Sequence, residues 1–369
     1  SQVKDYLCEQ ADVNFQLKSL FKIELNNTKL FSLFDEIEIP LLKVLADMEI
    51  EGINLDIKFL ESLKKDLITD ISTLEKLIYH EAGENFNISS PKQLGEVLFE
   101  KMQLVKKPKK TKTGQYSTSE DILKDLSLEH EFVKNILKYR SLTKLMSTYV
   151  DSLPNQVLNT TNRVHTEYLQ TVASTGRLSS INPNLQNIPI RTKRGREVRK
   201  AFVPKDENHF LMAADYSQIE LRIIASMSEE KNMIEAFNKN EDIHSSTAST
   251  VFDIPVNEVT KAQRSNAKTV NFGIIYGVSA FGLSNQTDLS RSESKELIET
   301  YYNKYPNLKK FINDQISYAR NNGYVKTLIG RKRYLKDINS SNGLVRSGAE
   351  RNAVNAPIQG LSLIHISEP

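Results

Sequence analysis

The chain has 369 residues, 26% of them charged and 39% hydrophobic, with a formal net charge of +3. Such a length carries two or three domains with ample core, and the balance excludes a disordered or fibrous protein. Cys8 is the single cysteine, no apolar run approaches the ~18 residues that span a membrane, and the N-terminus lacks a basic-then-apolar leader; these point to a reducing, cytoplasmic setting with no disulfide and no membrane partner.

Between Pro40 and Met48 the apolar positions Leu41, Val44, Leu45 and Met48 share one helix face, which Gly52 stops. Asp56 can cap a second helix that carries Leu60, Leu63, Leu67, Ile71, Leu74 and Ile78 on one side and ends near Gly83. Ser90-Pro91-Lys92-Gln93 reads as a capping box with proline at the first helical position, opening a helix through Lys101. Lys106, Lys107, Lys109, Lys110 and Lys112 follow. A run like this is ordinarily a solvated loop, with contact to a polyanion as the sharper alternative. Ser117-Thr118-Ser119-Glu120 reads as a second box with a helix to Leu126, and a last helix runs from Glu131 to Tyr149.

From Arg163 to Val172 the residues alternate as in a half-buried strand, leading into polar, turn-forming loops over Thr175–Ser180 and Asn182–Pro189. Next, a short apolar strand from Phe210 delivers Asp215 at its end, with a helix just beyond. An aspartate at such a junction is ordinarily an N-cap. Further on, Arg264, Lys268, Phe272 and Tyr276 recur at every fourth position. Each step advances about 400° around a helix, so the four form a slowly turning stripe roughly 18 Å long. Two cations at one end suit phosphates, and two rings beyond suit a sugar and a base. A lone Arg-x-x-x-Lys would be only an amphipathic helix with solvated cations.

The longer string Arg264-x-x-x-Lys268-x-x-x-Phe272-Gly273-x-x-Tyr276-Gly277 resembles the fingers helix of the family A DNA polymerases. Asp215-Tyr216-Ser217-Gln218-Ile219-Glu220-Leu221-Arg222 resembles that family's first catalytic motif at all eight positions. Asp242-Ile243-His244-Ser245-Ser246-Thr247-Ala248 follows its fingers pattern. The loops containing Arg177, Asn184 and Gln186 resemble primer–template loops that read the minor groove, where acceptors sit at nearly the same place in every base pair. Gly330-Arg331-Lys332-Arg333-Tyr334-Leu335 looks like a hairpin near the template, and Ala349–Gly360 matches a palm helix whose Arg351, Asn355 and Gln359 face DNA. The resemblance spans about residues 5 to 360.

This resemblance implies an α+β right-hand polymerase of thumb, palm and fingers. The implied reaction is attack of a primer 3′-hydroxyl on the α-phosphate of a deoxynucleotide, with two Mg2+ ions in the complete enzyme. Asp215 is then the metal ligand; Arg264 and His244 hold the triphosphate and Lys268 protonates pyrophosphate. Phe272 packs on the sugar, and Glu220 with Tyr276 closes off the 2′ position. Implied partners of a monomeric protein are primer–template DNA, gripped by the residues above and by the loop lysines, and deoxynucleoside triphosphates; the implied roles are replication and repair.

In domain terms, residues 1–40 are the end of a 3′–5′ exonuclease-like domain with a linker, and 41–155 the approach to the palm and the helical thumb. Residues 156–225 are palm, 226–330 fingers and 331–360 the return to the palm. Tyr6 falls on a family tyrosine, but Gln10 stands where the family has a metal-binding aspartate, so the exonuclease is expected to be inactive. Residues 361–369 depart from the family: His365 is not followed by the aspartate of its last catalytic motif. They read as an artefactual tail on a chain truncated within the palm sheet, which on this reading would not polymerise. Two rivals are a single-subunit RNA polymerase, which Glu220 disfavours, and a non-catalytic DNA-binding remnant.

Overall fold

The computed structural model describes residues 2–190, 192–252, 254–287 and 289–362. Residues 363–369, with His365 and most of the segment read as a tail, lie outside the described residues. Two compact units emerge: Leu45–Leu169 with Ser179–Met212, and Ser1–Val44 with Gln170–Leu178 and Ala213–Pro369.

The unit beginning at Leu45 is organised by the 26-residue helix Ile57–Ala82. Its ends follow from local chemistry. Asp56 Oδ1 accepts from the Phe59 N–H at 2.9 Å, and Gly83 takes the left-handed conformation, φ 72°, that side chains resist. Leu60, Leu63, Leu67, Leu74 and Ile78 are buried along one side, with Leu142 and Leu145 of the helix Glu131–Leu145 in the same core as the first of these. A four-stranded antiparallel sheet runs in the order Val157–Leu158, Arg163–Val164, Ile53–Leu55, Phe202–Val203, with Ile53 opposite Val164 and Leu55 opposite Phe202. Gly52 enters this sheet at φ 59°, and a Cβ there would stand 2.6 Å from the Val164 carbonyl oxygen.

Several expectations change here. The alternating stretch is not one strand: Arg163–Val164 belongs to the four-stranded sheet, while Glu167–Leu169 pairs with Ser179–Ile181 in a separate ribbon. The break falls at Thr166, whose buried hydroxyl lies 2.6 Å from that of Ser180 and so takes a side-chain partner between the two sheets. The first box is half formed. Ser90 Oγ accepts from the Gln93 N–H at 3.4 Å, but Gln93 Oε1 accepts from Asn87 N–H instead of returning to Ser90. That helix, Pro91–Glu96, gives way to a wider turn, Val97–Lys101. The second box is absent: Ser119 is the N-cap, so Glu120 opens the helix Glu120–Ser127 and cannot reach back. The lysine run makes a small hairpin in which Lys110 bridges Tyr116 and the Lys110 ammonium sits 4.9 Å from the Tyr116 ring centre. Lys106, Lys107, Lys109, Lys110 and Lys112 are all exposed.

In the other unit, the helix Gln2–Asn27 carries Tyr6 and Gln10, both exposed. The main core gathers Leu221, Ile224, Met233, Val270, Ile274, Leu283, Tyr301 and Leu308. A smaller one of Ala319, Val325, Leu335 and Ala353 lies beneath the hairpin Tyr324–Lys326 with Lys332–Tyr334, the hairpin expected around Gly330. The helix Gly343–Ser362 closes the described chain and contains Pro357. The segment Phe210–Tyr216 is not a strand among the described residues. Phe210 and Met212 are each 89% exposed, and without a partner strand the apolar sequence has no ladder to join.

Candidate nucleotide and nucleic-acid site

The helix Lys261–Ile275 begins with a reciprocal box that the sequence reading overlooked in Thr260-x-x-Gln263. Thr260 Oγ1 accepts from Gln263 N–H at 3.3 Å, and Gln263 Oε1 accepts from Thr260 N–H at 3.0 Å. Ala267, Val270, Asn271, Ile274 and Ile275 form its buried side. Each fully buried Val or Ile contributes about 1.5–3 kcal/mol, which pins that side inward. The opposite side therefore faces out: Arg264 and Lys268 are exposed and Phe272 is half-buried. Lys268 Nζ lies 5.9 Å from the Phe272 ring centre, and the Phe272 and Tyr276 rings are 5.9 Å apart. Tyr276 is the C-cap rather than the last helical residue.

His244, from the helix Ile243–Phe252, packs against Phe272 with ring centres 5.8 Å apart. It is 2% exposed. Burial pushes its imidazole down to about 4, with Arg264 and Lys268 acting in the same direction against Asp242. At neutral pH the ring is uncharged, so anything it offers an anion is an N–H and not a positive charge.

Sequence alone assigned no role to Asp242, yet four residues converge on it. Arg264 donates from Nε to one carboxylate oxygen and from Nη2 to the other, the second at 3.2 Å. Ser245 Oγ donates at 2.7 Å, Gln218 Nε2 at 2.9 Å and the His244 backbone N–H at 3.2 Å. Burial works against the carboxylate, but the donors from Arg264, Ser245 and Gln218 outweigh it and hold Asp242 well below the usual carboxylate range. Arg264 is thus aimed by a fixed anion, with one guanidinium nitrogen left outside the pair.

The Tyr276 hydroxyl donates to Glu220 Oε2, the glutamate of the helix Ile219–Met227. Burial first, and the Glu220 carboxylate second, hold the phenol well above its ordinary range; Gln359 hydrogen-bonds it and Arg177 acts on it electrostatically. Gln359, assigned from sequence to DNA contact, thus sits at Tyr276, and the charge of Arg177 is felt there. Arg351 donates to Ser347 Oγ at 3.0 Å and, with Phe272, Tyr276 and Gly277, lines an open groove of about 640 Å³. Asn355 lies one turn along from Arg351, half-buried, with no partner for its Oδ1 among the described residues. Glu38 joins this unit's framework unannounced by the sequence: its carboxylate accepts from Arg331 and, at 2.8 Å, from Gln170 Nε2.

Asn184 and Gln186 belong to the other unit and are exposed. Asn184 Oδ1 accepts from the backbone N–H groups of Gln186 and Asn187 at 3.1 and 3.2 Å, and Gln186 Oε1 accepts from Ser180 N–H at 3.2 Å. The loop uses their acceptors to fold itself and leaves their donors outward. Asp215 is exposed and enters none of these contacts. Among the described residues no group of three or more His, Cys, Asp or Glu side chains converges. One carboxylate does not balance two divalent ions, so these residues do not by themselves complete a two-ion centre.

A helix presenting cations and rings beside a tyrosine–glutamate pair, on a helix-dominated α+β scaffold, defines a right-hand polymerase fold. The chain belongs to DNA polymerase family A, whose profile matches residues 57–363. It is 48% identical to DNA polymerase I of Bacillus caldotenax over 357 residues, 96% of this chain and 40% of that protein. Against DNA polymerase I of Borreliella burgdorferi it is 46% identical over 355 residues, 39% of that protein. The chain therefore spans about two-fifths of the length of these relatives. Among solved structures it resembles the POL domain of Pol1 from M. smegmatis, in complex with DNA primer-template and dNTP, with TM-score 0.88 and 43% identity over 96% of this chain and 62% of that one. No helix among the described residues is long and apolar enough to cross a membrane.

Proposed function

We propose that this chain carries the nucleotide-binding face and DNA-binding surfaces of a DNA-templated DNA polymerase. The observation that carries this reading is the Tyr276–Glu220 hydrogen bond set at the end of the Arg264–Lys268–Phe272 stripe. A carboxylate clasping the tyrosine hydroxyl puts a rigid polar wall where a sugar would lie after the rings, which suits a deoxyribose and disfavours a 2′-hydroxyl. That geometry also favours a DNA over an RNA polymerase.

In this reading a triphosphate lies along the helix with its β- and γ-phosphates at Arg264 and Lys268. Its contact with His244 is a neutral N–H. Phe272 packs the sugar, and Lys268 is the proton donor to pyrophosphate when the primer 3′-hydroxyl displaces it from the α-phosphate. Catalysis of this kind is mainly positioning and charge neutralisation. Asp215 would be one ligand for Mg2+, which would supply charge neutralisation at the phosphates. Arg177, Arg351, Asn355 and Gln359, together with Asn184 and Gln186, are the contacts to the primer–template. The exposed lysines of the 106–112 loop grip phosphates. Residues 41–155 serve as approach and thumb, 226–330 as fingers. The setting is intracellular.

The test is equilibrium binding of the chain to dATP, to ATP and to a fluorescent primer–template, followed by primer extension with Mg2+. Tighter binding of dATP than ATP, and at least tenfold weaker dATP binding in Arg264→Ala/Lys268→Ala, are expected. Equal affinity for both nucleotides, or binding undiminished in the double variant, would overturn the assignment. Because Asp215 alone does not complete a two-ion centre, no extension by these residues is expected; extension would show that a second metal carboxylate has been overlooked.

A further inference from the structure

Behind the outward stripe of the Lys261–Ile275 helix lies a buried polar chain that its apolar side would not by itself require. Asn271 is 0% exposed, Thr247 4% and His244 2%. Thr247 Oγ1 donates to Asn271 Oδ1 at 3.0 Å, and Asn271 Nδ2 faces His244 Nδ1 at 2.9 Å. An amide nitrogen can only donate, so His244 Nδ1 accepts, and a neutral ring then carries its proton on Nε2. A protonated ring would set Nδ1–H against the amide N–H. The groups facing the ring reinforce this: Arg264 and Lys268 oppose another positive charge, while Asp242 is already ion-paired to Arg264.

We propose that Asn271 is a positioning residue, oriented by Thr247, that locks His244 as a neutral Nε2–H donor toward an anionic ligand on the Arg264–Lys268 face. The ligand here rests on the nucleotide reading above; the lock itself does not. Its consequence is a phosphate contact that needs no protonation and does not weaken as pH rises through the ordinary histidine range near 6.5. The amide costs little when its bonds are all made, whereas Leu or Val at 271 would leave Nδ1 buried and unpaired.

The experiment uses the whole chain with 15N-labelled histidine, read by long-range 1H–15N correlation from pH 5.5 to 8; His244→Gln identifies the resonance among the six histidines. Wild type is expected to show the Nε2–H tautomer throughout, with no titration. Asn271→Asp replaces the donor by an acceptor and should give a His244 that carries Nδ1–H and titrates within that window. Thr247→Val, close to isosteric, frees the amide to turn and should yield mixed tautomers. A wild-type ring bearing Nδ1–H or titrating near 6.5, or a spectrum unchanged by both substitutions, would overturn the proposal. The second readout is the dATP dissociation constant, taken as the ratio of Asn271→Asp to wild type so that the ligand's own protonation cancels. That ratio should rise about tenfold from pH 6 to pH 8, and a flat ratio counts against the proposal. Loss of the nucleotide reading is separately visible, as dATP binding indifferent to Arg264→Ala/Lys268→Ala while the tautomer signature persists.

Discussion

Replacing Asp242 by asparagine tests the hub that organises the stripe from behind. The substitution keeps the shape and removes the charge that accepts from Arg264, Ser245, Gln218 and the His244 N–H. A hydrogen bond to a charged group contributes about 1.5–3 kcal/mol. Arg264 is 44% and Asp242 31% exposed in their side chains, so solvent screens the ion pair and its share is that of an exposed pair, about 0.5–1 kcal/mol. The asparagine oxygen can still accept from one of the Ser245 and Gln218 donors, both partly buried, so loss of the other brings the expected total to about 2–4 kcal/mol at pH 7. The pH dependence fixes the cause. Because the folded carboxyl is held below its unfolded value, its contribution is fully present above about pH 4 and is lost as pH falls further. Urea unfolding followed by circular dichroism should therefore show wild type and Asp242→Asn separated by a constant margin from pH 7 to 5. Below about pH 4 the margin should narrow by up to about 1.4 kcal/mol per pH unit. Parallel pH profiles for the two proteins, or a loss under about 0.5 kcal/mol at pH 7, would refute the argument that the charge on Asp242 anchors this cluster.

Other substitutions probe different parts of the chain. Glu220→Ala should raise ATP affinity toward that for dATP while leaving dATP within a few-fold, since it removes the wall beside the sugar and no phosphate contact; competition binding reads both. Changing Lys106, Lys107, Lys109, Lys110 and Lys112 together to alanine should weaken primer–template binding and flatten log K against log[salt] by up to about 4.5, at roughly 0.9 per phosphate contact; an unchanged slope means the loop is merely solvated. Gly52→Ala puts a Cβ 2.6 Å from the Val164 carbonyl at a φ of 59°, and should cost about 1–3 kcal/mol in urea unfolding.

The sequence by itself determined what nearest neighbours decide. The Ile57–Ala82 helix with its Asp56 and Gly83 ends, the helix Lys261–Ile275 and its outward stripe follow from hydrogen bonds and side-chain spacings within a few residues. Where two local signals competed, local reasoning failed. Gln93 had a nearer use at Asn87 than at Ser90, and Thr166 broke an alternation that looked continuous. The site itself is built from pairs that no local rule connects: Tyr276 to Glu220, Arg264 to Asp242, His244 to Asn271. A trace of the last pair was visible, since Asn271 is the one polar residue in the buried row of Ala267, Val270, Ile274 and Ile275. Its partner was not. Whether a buried amide is a defect or a lock depends on which side chain a second helix brings within 3 Å, and only packing of the Ile243–Phe252 helix against the Lys261–Ile275 helix decided that.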